Sequence, residues 1–190
     1  AEVLEIPTIK IVPPEQVGPL VESMADLGQY DWLVFTSPNG VTSFFEYFFK
    51  AYDDVRSLGF LRIAAVGPAT AAKLKELHLR VDAMPEEYVA RKVASAIAQQ
   101  ETIENLRFLC LRAEVANPEL VKELEERGGI VDDVACYRTV PETEDRNGAA
   151  ARLIESGADW ITFTSASTVE NFHARFDLSK LRAKWPGLRV

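Results

Sequence analysis

The sequence predicts a doubly wound α/β fold that is present twice in one chain. Short segments that are apolar on successive residues, such as "LVF", "IAAV" and "FLCL", alternate with segments of helical periodicity such as "PELVKELEERGG". Continuous apolar strands are typical of parallel sheets that are covered on both faces. Because strands and helices alternate along the chain, we expect βαβ units with helices on both sides of the sheet.

The second copy is indicated by internal repetition. "DWLVFTSPNGV" begins at Asp31, and "DWITFTSASTV" begins 128 residues later at Asp159. The same offset places "EVLEIPTIKIVP" on "IVDDVACYRTVP" and Phe44 on Phe172. Residues 1–62 and 129–190 are therefore predicted to be two copies of one segment. Two full repeats would add about 28 residues before the sequence and about 38 after it. We therefore expect the second domain to be incomplete here.

Individual elements follow from apolar periodicity and from Pro and Gly positions. Strands are predicted at Val3–Val12, Trp32–Thr36, Arg62–Val66, Arg107–Leu111, Val131–Val140 and Trp160–Thr164. Helices are predicted at Pro14–Leu27, Pro38–Ala51, Ala69–Leu77, Val89–Gln100, Pro118–Arg127, Arg146–Ser156 and Ser167–Arg175.

The two long segments that end in Val-Pro indicate how the domains connect. Each is about ten residues long and only partly apolar, and they flank the unrepeated block. We interpret residues 1–13 and 131–141 as a pair of linker strands. Residues 14–130 then form the complete α/β domain, and residues 142–190 form part of the second.

Composition excludes several classes of protein. The 190 residues are 47% hydrophobic and carry a formal net charge of −8, which disfavours nucleic acid or an anionic membrane as a partner. No apolar run reaches the roughly 20 residues of a membrane helix. The start lacks Met and the features of a signal peptide, so we expect it to lie inside a longer protein. Cys110 and Cys136 belong to no CxxC motif and predict free thiols in a cytoplasmic protein.

Candidate binding residues follow three predicted strands. They are Thr36, Ser37 and Asn39 in "FTSPNGV", Gly67 and Thr70 in "AAVGPAT", and Ser165 and Ser167 in "FTSASTV". In open α/β sheets ligands collect beyond the carboxyl ends of strands, where helix N-termini offer free N–H groups to carboxylates or phosphates. Helix capping explains the same residues equally well: Ser37 is a good N-cap before Pro38, and Ser167 to Glu170 has the pattern of a capping box.

Other chemistry has little support in the sequence. There is no GxGxxG, GxxxxGK[ST] or HExxH, so neither a nucleotide cofactor nor a catalytic metal is expected. His78 and His173 are expected to be structural or surface residues. Arg112 and Glu114 follow a strand, where a solvated turn is favoured over contact with a ligand. The phenol of Tyr137 either packs in the core or faces the space between the domains.

Taken together, these segments resemble the uroporphyrinogen-III synthase family. The segments that carry the resemblance are "DWLVFTSPNGV", "IAAVGPATAAKLKELHLRVD", "FLCLRAE", "NPELVKELEERGGIVDDVACYRTVP" and "DWITFTSASTVENF", in the family's order and over nearly the whole chain. The family's N-terminal strand ending in Thr-Arg and its second Gly-Pro-x-Thr are absent from this sequence.

The resemblance implies two flavodoxin-like domains joined by a two-stranded linker, with an active site in the cleft between them. It also implies a cytoplasmic, monomeric lyase that uses no cofactor or metal and closes linear hydroxymethylbilane to uroporphyrinogen III with loss of water. By the same resemblance, Tyr137 would assist departure of the hydroxyl group, and Thr36, Ser37, Asn39, Gly67, Thr70, Ser165 and Ser167 would line the cleft.

Two alternatives remain open at the level of sequence. A non-catalytic, two-domain binder of a small polycarboxylate would use the same strand-end loops without turnover. A single-domain regulatory or interaction module is disfavoured by the 128-residue repeat.

Overall fold

A computed structural model of the chain describes residues 2–163 and 165–190. The strands are β1 (Ile9–Val12), β2 (Trp32–Phe35), β3 (Arg62–Ala65), β4 (Arg107–Ala113) and β5 (Ile130–Pro141). The α-helices are α1 (Gly18–Ala25), α2 (Pro38–Ala51), α3 (Pro68–Glu76), α4 (Lys92–Ala98), α5 (Glu119–Glu126), α6 (Ala149–Ser156), α7 (Ala166–Phe176) and α8 (Leu178–Lys184). Two 3₁₀ turns lie at Leu27–Gln29 and Val55–Leu58.

The chain divides into two compact units. Val12–Arg138 forms what we call the central unit, and Ala1–Ile11 with Thr139–Val190 forms the terminal unit. In the described part of the chain, no helix is long and apolar enough to cross a membrane.

The five strands form one sheet in the order β1-β5-β4-β2-β3. Strand β2 pairs in parallel with β3 on one side and with β4 on the other, and β4 pairs in parallel with β5. The chain passes from β2 outward to β3 and then returns to the other side of β2 for β4. The winding direction therefore reverses between β2 and β4, and such reversal points are where open α/β sheets bind ligands.

Both faces of the central sheet are covered, as the apolar strands predict. Leu33 and Phe35 of β2 join a core with the side chains of α1, α2 and α3. The alternate residues Trp32 and Val34 join a second core with α4 and α5. This alternation follows from strand geometry, in which successive side chains point to opposite faces. The mixed α/β fold with a parallel sheet is thus confirmed for the central unit.

The terminal unit contains a smaller core. Leu153, Phe172, Leu181 and Leu188 are its buried centre. The guanidinium of Arg175 donates to the carbonyl oxygens of Pro7, Glu142 and Glu144 at 3.1–3.2 Å, which fastens two backbone segments to α7. Helix α8 belongs to this unit and was not predicted from the sequence.

The sequence prediction was wrong for two strands. The segment predicted as Val3–Val12 is a strand only at Ile9–Val12. Pro7 interrupts it because proline has no N–H to donate to a ladder. The segment predicted as Trp160–Thr164 forms a single parallel bridge, Trp160 to Arg189, and no ladder among its described residues. Thr164 lies outside the described residues.

Helix boundaries also differ from the prediction at several ends. The helices predicted at Pro14–Leu27 and Val89–Gln100 are shorter, at Gly18–Ala25 and Lys92–Ala98. Helix α2 has the predicted bounds, because a serine N-cap and a proline at the first helical position define its start.

Candidate active site

Ser37 begins helix α2 at the carboxyl end of β2. Its extended backbone (φ −154°, ψ 157°) and its side-chain oxygen, which accepts the N–H of Gly40 at 3.1 Å, confirm the predicted N-cap. Position 40 also has little space for a side chain. A Cβ at this position would lie 3.1 Å from the carbonyl oxygen of Leu111 in β4. The missing side chain therefore lets the first turn of α2 sit directly against the end of β4.

Tyr137 reaches Ser37 from a strand two positions away in the sheet. Its phenol oxygen lies 2.9 Å from Ser37 Oγ, and the side chain is only 7% exposed. Strand β4 lies between β5 and β2, so the ring passes over β4 to reach the α2 N-terminus. The side chain packs in the core, which is one of the two alternatives considered from the sequence, and its hydroxyl is hydrogen-bonded at the strand ends.

An irregularity in the ladder gives Tyr137 this orientation. Arg112 pairs with Ala135, but Ala113 pairs with Tyr137, so β5 contains one extra residue at this point. Such a bulge interrupts the alternation of side chains along the strand. As a result, the consecutive residues Cys136 and Tyr137 both join the core on the α1–α3 side. Without the bulge, regular alternation would turn Tyr137 to the opposite face, away from Ser37.

The other predicted residues of the central unit lie at the same edge of the sheet. Phe35 and Ala65 are register partners, and the N–H of Val66 donates to the carbonyl of Phe35 at 3.1 Å. The loops after β2 and β3 are therefore neighbours. Asn39 is exposed in the first turn of α2, and Thr36 is half-buried. Gly67 is the N-cap of α3, and Thr70 is buried in its first turn.

Ser165 and Ser167 lie in the terminal unit, at the start of α7. The N-cap is Ser165, which accepts the N–H of Thr168 at 3.3 Å. The predicted capping box beginning at Ser167 was therefore wrong by two residues, and Ser167 lies inside the helix. Ser165 Oγ is within 3.1 Å of Ser167 Oγ and 2.7 Å of Thr168 Oγ1. Thr168 is the hydroxyl of this cluster that the prediction omitted.

The two capped helix starts have the same local structure. Ser37 has φ −154° and ψ 157°, and Ser165 has φ −156° and ψ 158°. Each serine accepts the N–H of the residue three positions later. The 128-residue repeat in the sequence thus corresponds to a repeat in the structure at these two loops.

A cavity of about 550 Å³ lies beside the second of these loops. It is bordered by Phe163 and Thr168 and by apolar residues of the terminal core, including Leu4, Ile161 and Phe172. A smaller cavity of about 330 Å³ lies at the amino ends of β2 and β3, next to Asp31 and Arg62. It is at the opposite edge of the central sheet from Ser37 and belongs to a different region of the surface.

Arg112 is placed differently from the sequence prediction. It is 6% exposed, and its guanidinium forms a two-pronged ion pair with Asp133 and donates to the carbonyl of Asn117 at 2.5 Å. The predicted solvated turn is therefore wrong for this residue, because a carboxylate on the adjacent strand neutralises its charge. Glu114 accepts the N–H of Glu15 at 2.8 Å.

The two cysteines contribute no nucleophile to the strand ends. Both are buried and free. Burial raises the pKa of the Cys136 thiol to about 12 and raises the pKa of Cys110 as well, since a buried thiolate would lose its hydration. Both therefore remain protonated, unreactive thiols near neutral pH. Among residues 2–163 and 165–190, no His, Cys, Asp or Glu cluster has the arrangement of a metal site.

The histidines have structural positions, as predicted. His78 adopts φ 58° directly after α3, where Leu79 N–H donates to Leu74 O at 3.1 Å and closes the helix end. His173 Nδ1 accepts the N–H of Leu178 at 3.2 Å, which links α7 to α8.

The central unit thus defines a doubly wound α/β protein with hydroxyl groups gathered at the reversal point of its sheet. Comparison with known families identifies it further. The family model described as "Uroporphyrinogen-III synthase HemD" matches residues 1–186. The chain belongs to the uroporphyrinogen-III synthase family.

Two relatives illustrate the similarity. The chain is 36% identical over 174 residues to the porphyrin biosynthesis protein HemD of Ruminiclostridium josui, covering 92% of this chain and 34% of that protein. It is 30% identical over 189 residues to the uroporphyrinogen-III synthase of Synechococcus elongatus, covering 97% of this chain and 69% of that protein. The chain therefore spans about a third of the first relative and about two thirds of the second.

Solved structures share the fold. A mutant uroporphyrinogen III synthase of Thermus thermophilus superposes with a TM-score of 0.59 at 23% identity, covering 93% of this chain and 69% of that chain. The uroporphyrinogen-III synthetase of Helicobacter pylori gives a TM-score of 0.57 at 17% identity, covering 89% of this chain and 70% of that chain.

Proposed function

We propose that this protein is a uroporphyrinogen-III synthase, a cofactor-independent lyase that cyclises hydroxymethylbilane with loss of water. The observation that carries the proposal is the contact of Tyr137 with Ser37, 2.9 Å between hydroxyl oxygens, at the reversal point of the sheet. Family membership and the names of both relatives support the same substrate.

The proposed chemistry needs little covalent participation by the protein. The bond between the hydroxymethyl carbon and its oxygen breaks, and the oxygen leaves as water after receiving a proton. The substituted carbon of the last pyrrole ring attacks the azafulvene cation left on the substrate, the spiro intermediate rearranges to the inverted ring, and loss of one proton restores the aromatic pyrrole, so that the net change is loss of water. The protein's main catalytic task is to hold the linear substrate so that this carbon forms the new bond, and this is catalysis by positioning.

Tyr137 is the proposed proton donor to the departing hydroxyl group. Ser37 Oγ accepts the N–H of Gly40, and its remaining lone pair or its proton engages the phenol. This network fixes the phenol oxygen at the strand ends, which a proton donor requires. When the substrate binds, Tyr137 donates to the leaving oxygen, and Ser37 keeps the ring in place.

The remaining loops are proposed to bind substrate carboxylates. The linear tetrapyrrole carries eight carboxylates, and the starts of α2 and α3 supply backbone N–H groups beside Thr36, Asn39, Gly67 and Thr70. Each helix start offers N–H groups without a partner inside the helix, together with a favourable dipole for an anion. We include the hydroxyl cluster of Ser165 and Ser167 in the binding set, because its helix start has the same geometry as that of Ser37.

The domain organisation belongs to the same proposal. We propose two flavodoxin-like domains with linker segments at residues 1–13 and 131–141, a complete domain at 14–130 and part of a second at 142–190. We also propose that the protein acts as a cytoplasmic monomer. The duplicated serine caps and the parallel pairing of Trp32 with Arg62 and of Trp160 with Arg189 support the two-domain assignment.

A cyclisation assay tests the function. Full-length protein is incubated with hydroxymethylbilane, the products are oxidised, and the isomers are separated by chromatography. We expect the III isomer to predominate. Formation of the spontaneous I isomer alone, at the rate of the protein-free control, would overturn the proposed activity and leave the non-catalytic polycarboxylate binder as the alternative.

A further inference from the structure

Tyr88 is an exposed aromatic residue beside the proposed site and has no role in the chemistry proposed above. It is 59% exposed, in the segment between Ala83 and helix α4. Met84 and Val89 in the same segment are each 41% exposed. Exposed apolar side chains close together in the sequence, next to a binding edge, are one mark of a ligand-contact surface.

Tyr88 lies close to Gly67. A Cβ at Gly67 would be 3.4 Å from Tyr88 Cβ, 3.5 Å from its Cγ and 3.8 Å from its Cδ1. The backbone of Gly67 is extended (φ −159°), a conformation open to any residue. The glycine is therefore not required by its backbone. These separations are ordinary van der Waals contacts, so the base of the Tyr88 side chain lies directly beside the start of α3.

The position of Tyr88 follows from the sheet order. From β5 to β3, the carboxyl edge carries Tyr137, then the end of β4, then Ser37, then Gly67 with Tyr88 against it. Neighbouring strands are about 4.8 Å apart, so β5, which contains Tyr137, and β3, which precedes Gly67, are roughly 14 Å apart. Tyr88 thus borders the same edge on the β3 side.

The charge around Tyr88 favours one kind of contact. Glu86 and Glu87 directly precede it and are exposed. Two carboxylates repel the carboxylates of a polyanionic ligand. The loop is therefore suited to an uncharged, flat part of a ligand. Aromatic pairs prefer stacked or edge-to-face arrangements, and an exposed tyrosine ring offers such a surface.

We propose that Tyr88 is a substrate-binding residue that stacks on a pyrrole ring of the linear tetrapyrrole. This inference rests on the proposed function for the identity of the ring. The contact holds one pyrrole beside β3 and thereby limits which conformations of the linear tetrapyrrole reach Tyr137. Tyr88 contributes to binding and takes no part in proton transfer.

Three variants of the full-length protein test the proposal: Tyr88→Leu, Tyr88→Phe and Phe60→Leu. Phe60 is the matched control because it is a fully exposed aromatic at the amino end of β3. We expect Tyr88→Leu to raise KM for hydroxymethylbilane about threefold to tenfold with little change in kcat. Tyr88→Phe keeps the ring and should resemble the wild type, as should Phe60→Leu. Equal melting temperatures show that folding is unaffected.

A second measurement separates this proposal from the proposed function. The Kd of uroporphyrin III, the stable oxidised product, is measured by fluorescence titration for each variant. A weaker Kd for Tyr88→Leu alone supports the ring contact, even if the wild type makes no III isomer and the proposed function fails. A wild-type KM and Kd in Tyr88→Leu overturns the contact while leaving the function intact. Equal losses in the Leu and Phe variants, or no binding of porphyrin by the wild type, also overturn it.

Discussion

The phenol oxygen of Tyr137 lies 2.9 Å from Oγ of Ser37, although the two residues are 100 positions apart in the sequence. The contact joins strand β5 to the start of helix α2 across the end of β4. A bulge in β5 and the absence of a side chain at Gly40 both make it possible. The same pair is the basis of the first two predictions.

Replacement of Tyr137 by phenylalanine removes the hydroxyl group and keeps the ring. We expect kcat for formation of the III isomer to fall by about tenfold to a hundredfold, since general acid assistance by a positioned group contributes on this scale or more. Activity should not vanish, because the substrate is reactive by itself. Tyr52→Phe is the control: its hydroxyl also donates a hydrogen bond, to Met24 O at 2.7 Å, but lies after the end of α2. Unchanged kinetics in Tyr137→Phe would remove this residue from the mechanism.

Replacement of Ser37 by alanine removes a helix cap and the partner of Tyr137 together. We expect the free energy of unfolding in urea to fall by about 1–3 kcal/mol, combining the cap with one unpaired, mostly buried hydroxyl. Ser165→Ala removes a cap and two hydroxyl contacts that are all exposed, and it should cost less. A double-mutant cycle of Ser37→Ala with Tyr137→Phe measures the contact itself, and a coupling energy near zero would contradict its contribution to stability.

Local sequence patterns predicted the α/β class, the parallel sheet and the Ser37 cap, because each of these features depends on residues that are close together in the sequence. The orientation of Tyr137 did not follow from them. It depends on a one-residue irregularity opposite Ala113, and bulges of this kind have no marker in a segment such as "VACYRTV". The burial of Arg112 was also missed, since its partner Asp133 is 21 residues away on another strand. The Ser165 cap was misplaced because "SAST" contains three hydroxyl residues that can each begin a helix.

Replacement of Asp133 by alanine leaves the buried guanidinium of Arg112 without its carboxylate. The hydrogen bond to Asn117 O remains, but the charge is no longer neutralised. We expect a loss of about 2–4 kcal/mol in the free energy of unfolding. Glu76→Ala, which breaks the exposed ion pair with Lys73, should change it by less than about 1 kcal/mol. Equal effects of the two substitutions in urea denaturation would contradict the burial of Arg112.

Asp145 gives the terminal unit a pH-dependent contribution to stability. Its carboxylate accepts the N–H groups of Ala150 and Ala151 at 3.0 and 2.8 Å, and these hydrogen bonds hold the pKa of Asp145 below its usual value. A carboxyl group with a lower pKa in the folded state stabilises the fold above its unfolded pKa, and this contribution is lost as the pH falls through the folded pKa.

Asp145→Asn should therefore be less stable than the wild type at pH 6, and the difference should shrink as the pH falls below about 4. Urea denaturation at several pH values measures this difference in the free energy of unfolding. Glu155→Gln, at an exposed acidic residue of helix α6, is the control. A difference that is constant with pH would show that the carboxylate charge of Asp145 does not contribute.

Gly157 is a position where the terminal unit requires glycine. Its backbone has φ 73° and ψ −168°, a region that is accessible almost only to glycine, and a Cβ would lie 2.6 Å from Cδ2 of Trp185. Gly157→Ala must strain the backbone and displace an indole that packs against the terminal core. We expect the free energy of unfolding to fall by about 2–4 kcal/mol, because the backbone is strained and the core around Trp185 must repack. Gly187→Ala is the matched control, since a Cβ there meets no atom within 4 Å. Tryptophan fluorescence, followed through urea denaturation, measures the free energy of unfolding of both variants. Equal stability of the two would show that Trp185 does not pack against Gly157 in solution.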